Sequence, residues 1–340
     1  MPTPTDQIRL RSWTSCGGCG AKWPAAELRA LLAARPAPVN PDGLLVGLAP
    51  FDDAAVLLLT PELSLVSTTD FFPPLVDDPA AFGAIAAANA CSDIFAMGAR
   101  VVLAVNVAAF PEELPTWVVA AILAAADEVV AEAGGVIAGG HTIRNPEPVF
   151  GLAVQGLVPT GRHFSKGGVR PGDRIVLSKP LGTGLVLAAD DAAPVAGVTA
   201  GMRQLNRVAS EALVARHHQV HAVTDVTGFG LLGHGFEMAE RSGVTLELDA
   251  ALLPLYDGAL AAAAAGVRTG ADERNRTYTA GQVEVQASDA LAAVGYDPQT
   301  SGGLLAAVDP TAVAELTEVG FVEIGEAVPL ASDSVHVRLS

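Results

Sequence analysis

Apolar runs of strand length alternate with longer runs of helical periodicity over the first 160 residues, and this alternation is what most constrains the fold. We predict strands at residues 44–47, 54–59, 63–69, 101–108, 136–138 and 149–158, and helices at residues 24–34, 79–97 and 114–133. Alternating strands and helices are typical of layered α/β or α+β domains. The pattern therefore predicts an N-terminal α/β domain over residues 43–160, preceded by a flexible segment at residues 1–42.

A second unit follows residues 161–172, which are rich in Gly, Arg and Lys and are predicted to form a linker. We predict strands at residues 174–177, 222–224, 244–248 and 304–308, helices at residues 201–215 and 231–241, and an Ala-rich helix around Leu260. The sequence thus predicts a C-terminal α/β domain over residues 173–340.

The charge of the chain limits its partners. Acidic residues outnumber basic ones by 37 to 20, the net charge is −17, and no Lys/Arg-rich run is present. Nucleic acid is therefore excluded as an expected partner. An anionic substrate such as a nucleotide would need metal ions or local lysines to offset this charge.

Cysteine usage and the apolar runs indicate a cytoplasmic protein without a membrane segment. The three cysteines form no even disulfide framework, which is typical of a reducing compartment. The first residues do not resemble a signal peptide, and the apolar stretch at residues 117–126 is too short to span a bilayer.

A short run near the N-terminus, Ser15-Cys16-Gly17-Gly18-Cys19-Gly20-Ala21-Lys22, combines two thiols, three glycines and a lysine. Glycine permits close approach to a ligand, and a nearby ammonium favours the reactive thiolate. We therefore predict a mobile reactive loop. Structural zinc is disfavoured because only the distant Cys91 could add a thiol. A non-catalytic redox or metal-carrying protein that uses Cys16 and Cys19 remains the alternative.

Four acids lie at the ends of apolar elements rather than on charged faces: Asp53, Asp70, Asp93 and Asp225. A carboxylate in such a position is usually paired, hydrogen-bonded or bound to a cation. Magnesium takes oxygen ligands and bridges carboxylates to phosphates. The structural alternative is that each acid is a helix cap or turn former.

The run Gly139-Gly140-His141-Thr142 is predicted to be a turn that offers backbone N–H groups and a hydroxyl to phosphate. We interpret His141 as a hydrogen-bonded loop histidine rather than a metal ligand, because no other histidine is suitably spaced. The standard phosphate-binding glycine motifs are missing, so any ATP site must be of another type.

Long motifs in this order resemble the selenophosphate synthetase (selenide, water dikinase) family over nearly the whole chain. They are Cys19, Thr68-Thr69-Asp70-Phe71-Phe72, Asn89-Ala90-Cys91-Ser92-Asp93-Ile94-Phe95-Ala96-Met97-Gly98, Gly139-Gly140-His141-Thr142, Thr224-Asp225-Val226-Thr227-Gly228-Phe229-Gly230 with Leu231-Leu232-Gly233-His234, and Asp297-Pro298-Gln299-Thr300-Ser301-Gly302-Gly303-Leu304-Leu305. The resemblance implies that ATP, hydrogen selenide and water give selenophosphate, AMP and phosphate. It also implies the two-domain fold of the aminoimidazole ribonucleotide synthetase superfamily, with the N-terminal sheet pairing across a homodimer.

The resemblance also assigns roles to individual residues. It implies that Cys19 and Lys22 are catalytic, that Asp53, Asp93 and Asp225 bind Mg²⁺, that Lys22, Asp52, Asp70, Asn89 and Asp93 face the nucleotide or its phosphates, and that Gly140, His141 and Thr142 bind ATP from the partner subunit.

The sequence departs from the family pattern at the loop. Some members carry Cys-Gly-Cys-Lys, whereas Ala21 replaces the second of those thiols here and Cys16 is an additional thiol. The assignment of Cys19 rests on alignment at Lys22. Another enzyme of the superfamily, of the thiamin monophosphate kinase or aminoimidazole ribonucleotide synthetase type, is the alternative, although those lack the N-terminal loop.

Overall fold

The structure is a computed structural model that describes residues 8–15, 17–23, 25–34, 42–48, 51–330 and 335–340. Near the N-terminus the chain forms short 3-10 turns at Leu10–Trp13 and Gly18–Ala21, and helix α1 at Ala25–Ala33. Two separate sheets follow, each accompanied by helices. The predicted α/β fold is therefore confirmed.

The first sheet has six strands in the order β1-β2-β3-β6-β4-β5. They are β1 (Leu44–Val46), β2 (Ala55–Thr60), β3 (Leu63–Phe72), β4 (Arg100–Phe110), β5 (Ile137–Arg144) and β6 (Val149–Pro159). Only β4 and β5 run parallel within this sheet; its other neighbouring strands are antiparallel.

Helix α2 (Pro79–Ala96) packs against this sheet, and α3 (Thr116–Glu132) packs against α2. The Asp78 side chain caps α2 by accepting the Ala81 N–H at 2.6 Å. A Cβ at Gly83 would lie 2.1 Å from the Ile122 carbonyl oxygen, so glycine permits the close approach of α3. Helix α2 is long and apolar enough to cross a membrane but is mostly buried inside the protein. It is longer than the apolar stretch at residues 117–126.

The second sheet has seven strands in the order β10-β13-β9-β12-β7-β11-β8. They are β7 (Arg174–Leu177), β8 (Val220–Asp225), β9 (Val244–Leu248), β10 (Val283–Val285), β11 (Leu304–Val308), β12 (Val322–Pro329) and β13 (Val337–Leu339). The accompanying helices are α4 (Thr183–Ala189), α5 (Ala192–Arg203), α6 (Arg207–Ala215), α7 (Gly230–Ser242), α8 (Ala259–Ala264), α9 (Asp272–Tyr278), α10 (Asp289–Tyr296) and α11 (Val313–Glu318).

Three local predictions are wrong. The single helix predicted at residues 201–215 is two helices, α5 and α6. Asp70 does not end its strand, because β3 continues to Phe72 through pairing with β6. The predicted Gly139-Gly140 turn lies inside β5, where a Cβ at Gly140 would come within 2.6 Å of Asn106 backbone atoms. The predictions for β3 and β5 are wrong because strand pairing outweighs local turn preference.

Buried hydrogen bonds join the two sheet units through α2. The Asn206 side-chain amide donates to Ser92 Oγ at 2.9 Å and to the Gly302 carbonyl at 2.7 Å. Ser210 Oγ donates to the Phe95 carbonyl at 2.7 Å. Since buried polar groups are costly without partners, these bonds fix α2 against the second unit.

Candidate active site

Three carboxylates converge at the junction of the two units. Asp53 precedes β2, Asp93 lies in α2, and Asp225 ends β8. One oxygen from each lies within 4.8 Å of the others. We call these three residues the acid cluster.

The acid cluster has the chemistry of a cation site. Asp53 Oδ2 and Asp225 Oδ2 are buried and have no hydrogen-bond partner among the described residues. Burial raises the pKa of Asp53 to about 8, and Lys166 only partly opposes it. Burial, and then the charges of Asp225 and Asp70, raise the pKa of Asp93 well above its usual value. A divalent cation would supply the missing partner and remove this repulsion, so the residues fit Mg²⁺.

Neighbouring hydroxyls orient two of these carboxylates. Thr68 Oγ1 on β3 donates to Asp93 Oδ2 at 2.5 Å. Thr224 Oγ1 on β8 donates to Asp53 Oδ1 at 3.0 Å. Strands from both sheets therefore hold the acid cluster in place.

Lys166 is a site residue that sequence reasoning missed. Its Nζ lies 2.9 Å from Asp53 Oδ1 and 3.1 Å from Glu237 Oε2, with all three side chains buried. Burial lowers the pKa of Lys166, but these two carboxylates raise it by more, and it lies well above its usual value. Lys166 falls in the predicted linker, which has no regular secondary structure and no periodicity to mark a buried position.

His234 on α7 extends this network. Its Nε2 lies 3.2 Å from Thr227 Oγ1, and its Nδ1 lies 3.5 Å from Glu237 Oε2. Burial lowers the pKa of His234, which favours the neutral ring. The sequence placed His234 in a family motif but assigned it no role.

Asp70, Asn89 and Lys22 form a second contact group beside the acid cluster. The Asn89 side-chain amide donates to Asp70 Oδ2 at 2.6 Å, and Lys22 Nζ lies 3.5 Å from Asp70 Oδ1. Asn89 Oδ1 accepts the Ser301 N–H at 2.8 Å. Asn89 and Asp93, four residues apart on α2, thus reach the same site.

The N-terminal loop, residues 17–23, lies against this group. The Gly18 N–H donates to the Pro73 carbonyl at 3.0 Å. The backbone of Cys19 lies in the turn Gly18–Ala21, whereas its side chain and the whole of Cys16 are outside the described part of the structure. The structure therefore places the loop but not its thiols.

Two concavities lie in this part of the structure. A groove of about 400 Å³ includes Asp53 and Thr68 together with apolar side chains from Leu44, Leu48 and Phe51. A larger cavity of about 770 Å³ is lined by Lys22 and other loop residues. Thr68 lines the groove, and Asp70, two residues further along β3, contacts Lys22. The groove therefore reaches the acid cluster at Asp53, whereas the larger cavity reaches the neighbouring contact group at Lys22.

Asp52 has a different environment from the acid cluster. Its carboxylate accepts from Arg241 Nη1 at 2.8 Å, from Ser165 Oγ at 2.8 Å and from the Lys166 N–H at 3.2 Å. These contacts join the start of β2 to the connection between the units and to α7. The structure thus gives the Asp52 side chain a docking role, although Asp52 also lines the groove.

Gly140, His141 and Thr142 lie on the exposed edge strand β5. Asp70, Leu152, Asn106 and Gly140 pair successively across the sheet. Three strand spacings separate Gly140 from Asp70, which is about 14 Å. Within one chain, the structure does not bring these residues to the acid cluster.

Comparison with known proteins agrees with this architecture. Residues 51–158 match the family of AIR synthase related proteins, N-terminal domain, and residues 170–338 match its C-terminal domain. A solved thiamine monophosphate kinase from Aquifex aeolicus is 18% identical, with a TM-score of 0.64 over 93% of this chain and 95% of its own. That similarity shows the shared fold.

Two curated relatives are much more similar in sequence. The selenide, water dikinase of Myxococcus xanthus is 43% identical over 312 residues, covering 89% of this chain and 88% of its own length. The selenide, water dikinase of Burkholderia ambifaria is 46% identical over 322 residues, covering 92% and 90%. The chain therefore belongs to the selenide, water dikinase family, within the AIR synthase related proteins.

Proposed function

We propose that this protein is a selenide, water dikinase that converts ATP, hydrogen selenide and water to selenophosphate, AMP and phosphate. The observation that carries the proposal is the acid cluster, whose buried and unpartnered oxygens fit a divalent cation. It occurs in a chain that is closely related, over about nine-tenths of its length, to proteins of that name.

In this proposal, Asp53, Asp93 and Asp225 hold Mg²⁺, and ATP binds the adjoining groove with its phosphates toward Asp53. Leu44, Leu48 and Phe51 offer apolar surface for the base. Bound magnesium would offset the phosphate charge and polarise the transferred phosphoryl group. Since the chain is strongly acidic, the cation is needed for a polyanionic substrate to bind.

The loop would act from the larger cavity. The Asn89 amide orients Asp70, and Asp70 in turn holds the Lys22 ammonium beside the acid cluster. There Lys22 would stabilise charge on the γ-phosphate and favour the thiolate of Cys19, the proposed catalytic thiol. With Asp52 fixed by Arg241 and Ser165, we assign its side chain to shaping the groove wall on the nucleotide side.

We propose that the protein is a homodimer that pairs through the first sheet. Helix α2 covers one face of that sheet, whereas Phe71, Leu103 and Ile143 leave apolar side chains exposed on the other. Apolar patches of this kind mark interaction sites. Pairing there would bring Gly140, His141 and Thr142 of one subunit toward the ATP site of the other.

The homodimer can be tested at Phe71, whose exposed fraction is 54%. Phe71→Lys should shift the protein toward a monomer in sedimentation velocity, because a charge is costly in an apolar interface. Val208→Lys, at a valine that is also exposed but lies on α6 in the second unit, is the matched control. Equal mass for Phe71→Lys and the unaltered protein, with both dimeric, would contradict pairing through this face.

We also propose that the protein is cytoplasmic, as its cysteine usage suggests, and that its two domains are residues 43–160 and 173–340. The two separate family matches, at residues 51–158 and 170–338, and the two sheets support the domain division. Limited proteolysis that releases two folded fragments by cutting within residues 161–172 would support these boundaries.

Product analysis tests the proposed reaction. The purified protein with ATP, Mg²⁺ and selenide should release AMP, and ³¹P NMR should show selenophosphate. ADP as the product would instead favour the thiamin monophosphate kinase or aminoimidazole ribonucleotide synthetase type. Absence of Mg-ATP binding in calorimetry would favour the non-catalytic protein that uses Cys16 and Cys19.

A further inference from the structure

Arg274 connects the second unit to the N-terminal loop. It lies in the first turn of α9, its side chain is exposed, and it lines the larger cavity. Its Nη2 donates to the Gly20 carbonyl at 2.8 Å. Gly20 lies between Cys19 and Lys22, so this hydrogen bond holds the part of the loop that carries the proposed chemistry.

The other arginines that line the cavity are engaged elsewhere. Arg11 pairs with Asp77 and Asp190, and Arg268 pairs with Asp289. Arg274 forms no ion pair with an acid among the described residues. Its guanidinium is therefore directed to the loop backbone rather than to a neighbouring carboxylate.

The backbone of Arg274 is anchored to the turn that follows Asp225. The next residue, Asn275, is buried, and its amide donates to the Gly228 carbonyl at 3.0 Å and to the Tyr296 carbonyl at 2.9 Å. Gly228 lies three residues after Asp225. Buried side-chain bonds of this kind are rigid, because breaking them leaves polar groups unsatisfied.

Contacts from both units thus hold the described part of the loop. Gly18 N–H bonds to Pro73 of the first unit, Lys22 reaches Asp70 on β3, and Gly20 accepts from Arg274 of the second unit. We propose that Arg274 is a positioning residue that clamps the loop beside the acid cluster. The contacts of Asn275 fix the backbone of Arg274 to the turn that follows Asp225. The effect of Arg274 on catalysis rests on the proposed function, whereas its effect on the loop does not.

The clamp consists of a single exposed hydrogen bond. One exposed hydrogen bond contributes modestly to stability, so the loop can release without unfolding either unit. Release of the loop would expose the cavity that it lines.

Hydrogen exchange measured by mass spectrometry tests the clamp directly. Arg274→Ala should increase exchange of the peptide that contains residues 17–23 by about fivefold, as expected from losing one hydrogen bond. Arg274→Lys, which keeps a donor, should restore part of the protection. Arg203→Ala, at an exposed arginine at the end of α5, is the control and should leave this peptide unchanged. Equal exchange in Arg274→Ala and the unaltered protein would overturn the proposal.

A thiol probe gives a second readout that does not depend on turnover. In a Cys16→Ser background, with Cys91 buried, iodoacetamide should modify Cys19 severalfold faster after Arg274→Ala. The urea midpoint should stay within error, which separates positioning from general destabilisation. An unchanged modification rate would contradict the clamp even if the enzyme makes selenophosphate. A faster modification of Cys19 in Arg274→Ala, together with no selenophosphate formation by the unaltered protein, would uphold the clamp and reject the proposed function.

Discussion

The acid cluster and the N-terminal loop meet at the same site but are held in opposite ways. Asp53, Lys166 and Glu237 have side-chain exposures of 4%, 6% and 2%, and their contacts are 2.9 to 3.1 Å. Lys22 is 39% exposed and lies 3.5 Å from Asp70. Charge interactions strengthen as water is excluded, so the buried side is costly to alter and the loop is not. The site therefore combines a rigid cation-binding side with a releasable reactive side.

The largest effect is expected at the acid cluster. Asp225→Asn keeps the shape of the side chain but removes a charged oxygen ligand, so AMP formation should fall by about 1,000-fold. Mn²⁺ binding, followed by electron paramagnetic resonance, should weaken in parallel. Asp127→Asn, at an exposed position on α3, is the matched control and should retain both properties. Full activity with tight Mn²⁺ binding in Asp225→Asn would show that Asp225 is not a metal ligand.

Lys166→Met tests whether the buried side is also structurally essential. The change leaves Asp53 and Glu237 without their shared cation, and the free energy of unfolding should fall by about 3 to 5 kcal/mol. Urea denaturation in EDTA measures this without interference from bound metal.

A double variant separates the lost charge pair from the lost packing. Glu237→Gln in the Lys166→Met background removes one of the two unpaired carboxylates, so it should recover part of the lost stability. If Glu237→Gln lowers the free energy of unfolding as much in the Lys166→Met background as it does alone, the two side chains are not coupled. That result would contradict a rigid buried side held by this ion pair.

At the loop, Lys22→Met should separate activity from stability. Loss of the ammonium should lower turnover by about 100-fold, because it removes charge stabilisation at the reacting phosphate. The free energy of unfolding should change by less than about 1 kcal/mol, since the ion pair is partly exposed to water. Lys22→Arg, which keeps the charge, should be less impaired. A loss of stability equal to that of Lys166→Met would show that the loop is part of the rigid side.

The contrast also explains what the sequence could predict. Strands at residues 244–248 and 304–308 and the long helix α2 follow local periodicity, and the structure has them close to the predicted bounds. Asp53, Asp93 and Asp225 could be grouped, together with Asp70, because the sequence places all four at apolar elements rather than on charged faces. The C-terminal end of β3 and the course of β5 could not be predicted, because pairing with β6 and β4 overrides the local signals.

The support for the site was harder to predict than its acids. Lys166 lies in a segment without secondary structure, and its burial depends on Asp53 and Glu237, which are distant in the sequence. Arg274 contacts a loop 254 positions away in the chain. Nothing local distinguishes either residue from a solvent-exposed cation, so only the folded arrangement identifies it.

A pH-dependent effect on stability is expected at Asp297, which is buried like the acid cluster but lies next to the cavity residue Pro298. Burial raises its pKa from 3.8 to about 8, although Gly184 N–H and the Gln299 amide donate to its carboxylate. Between these pH values the folded protein keeps a proton that the unfolded chain loses. Its contribution to stability is therefore complete below pH 4 and is lost as pH rises to 8, at up to about 1.4 kcal/mol per pH unit. Asp297→Asn should abolish this slope, so the difference in urea stability between the unaltered protein and the variant should shrink, then reverse, from pH 5 to pH 8. A difference that stays constant over this range would show that Asp297 is ionised in the folded state, and that burial does not raise its pKa.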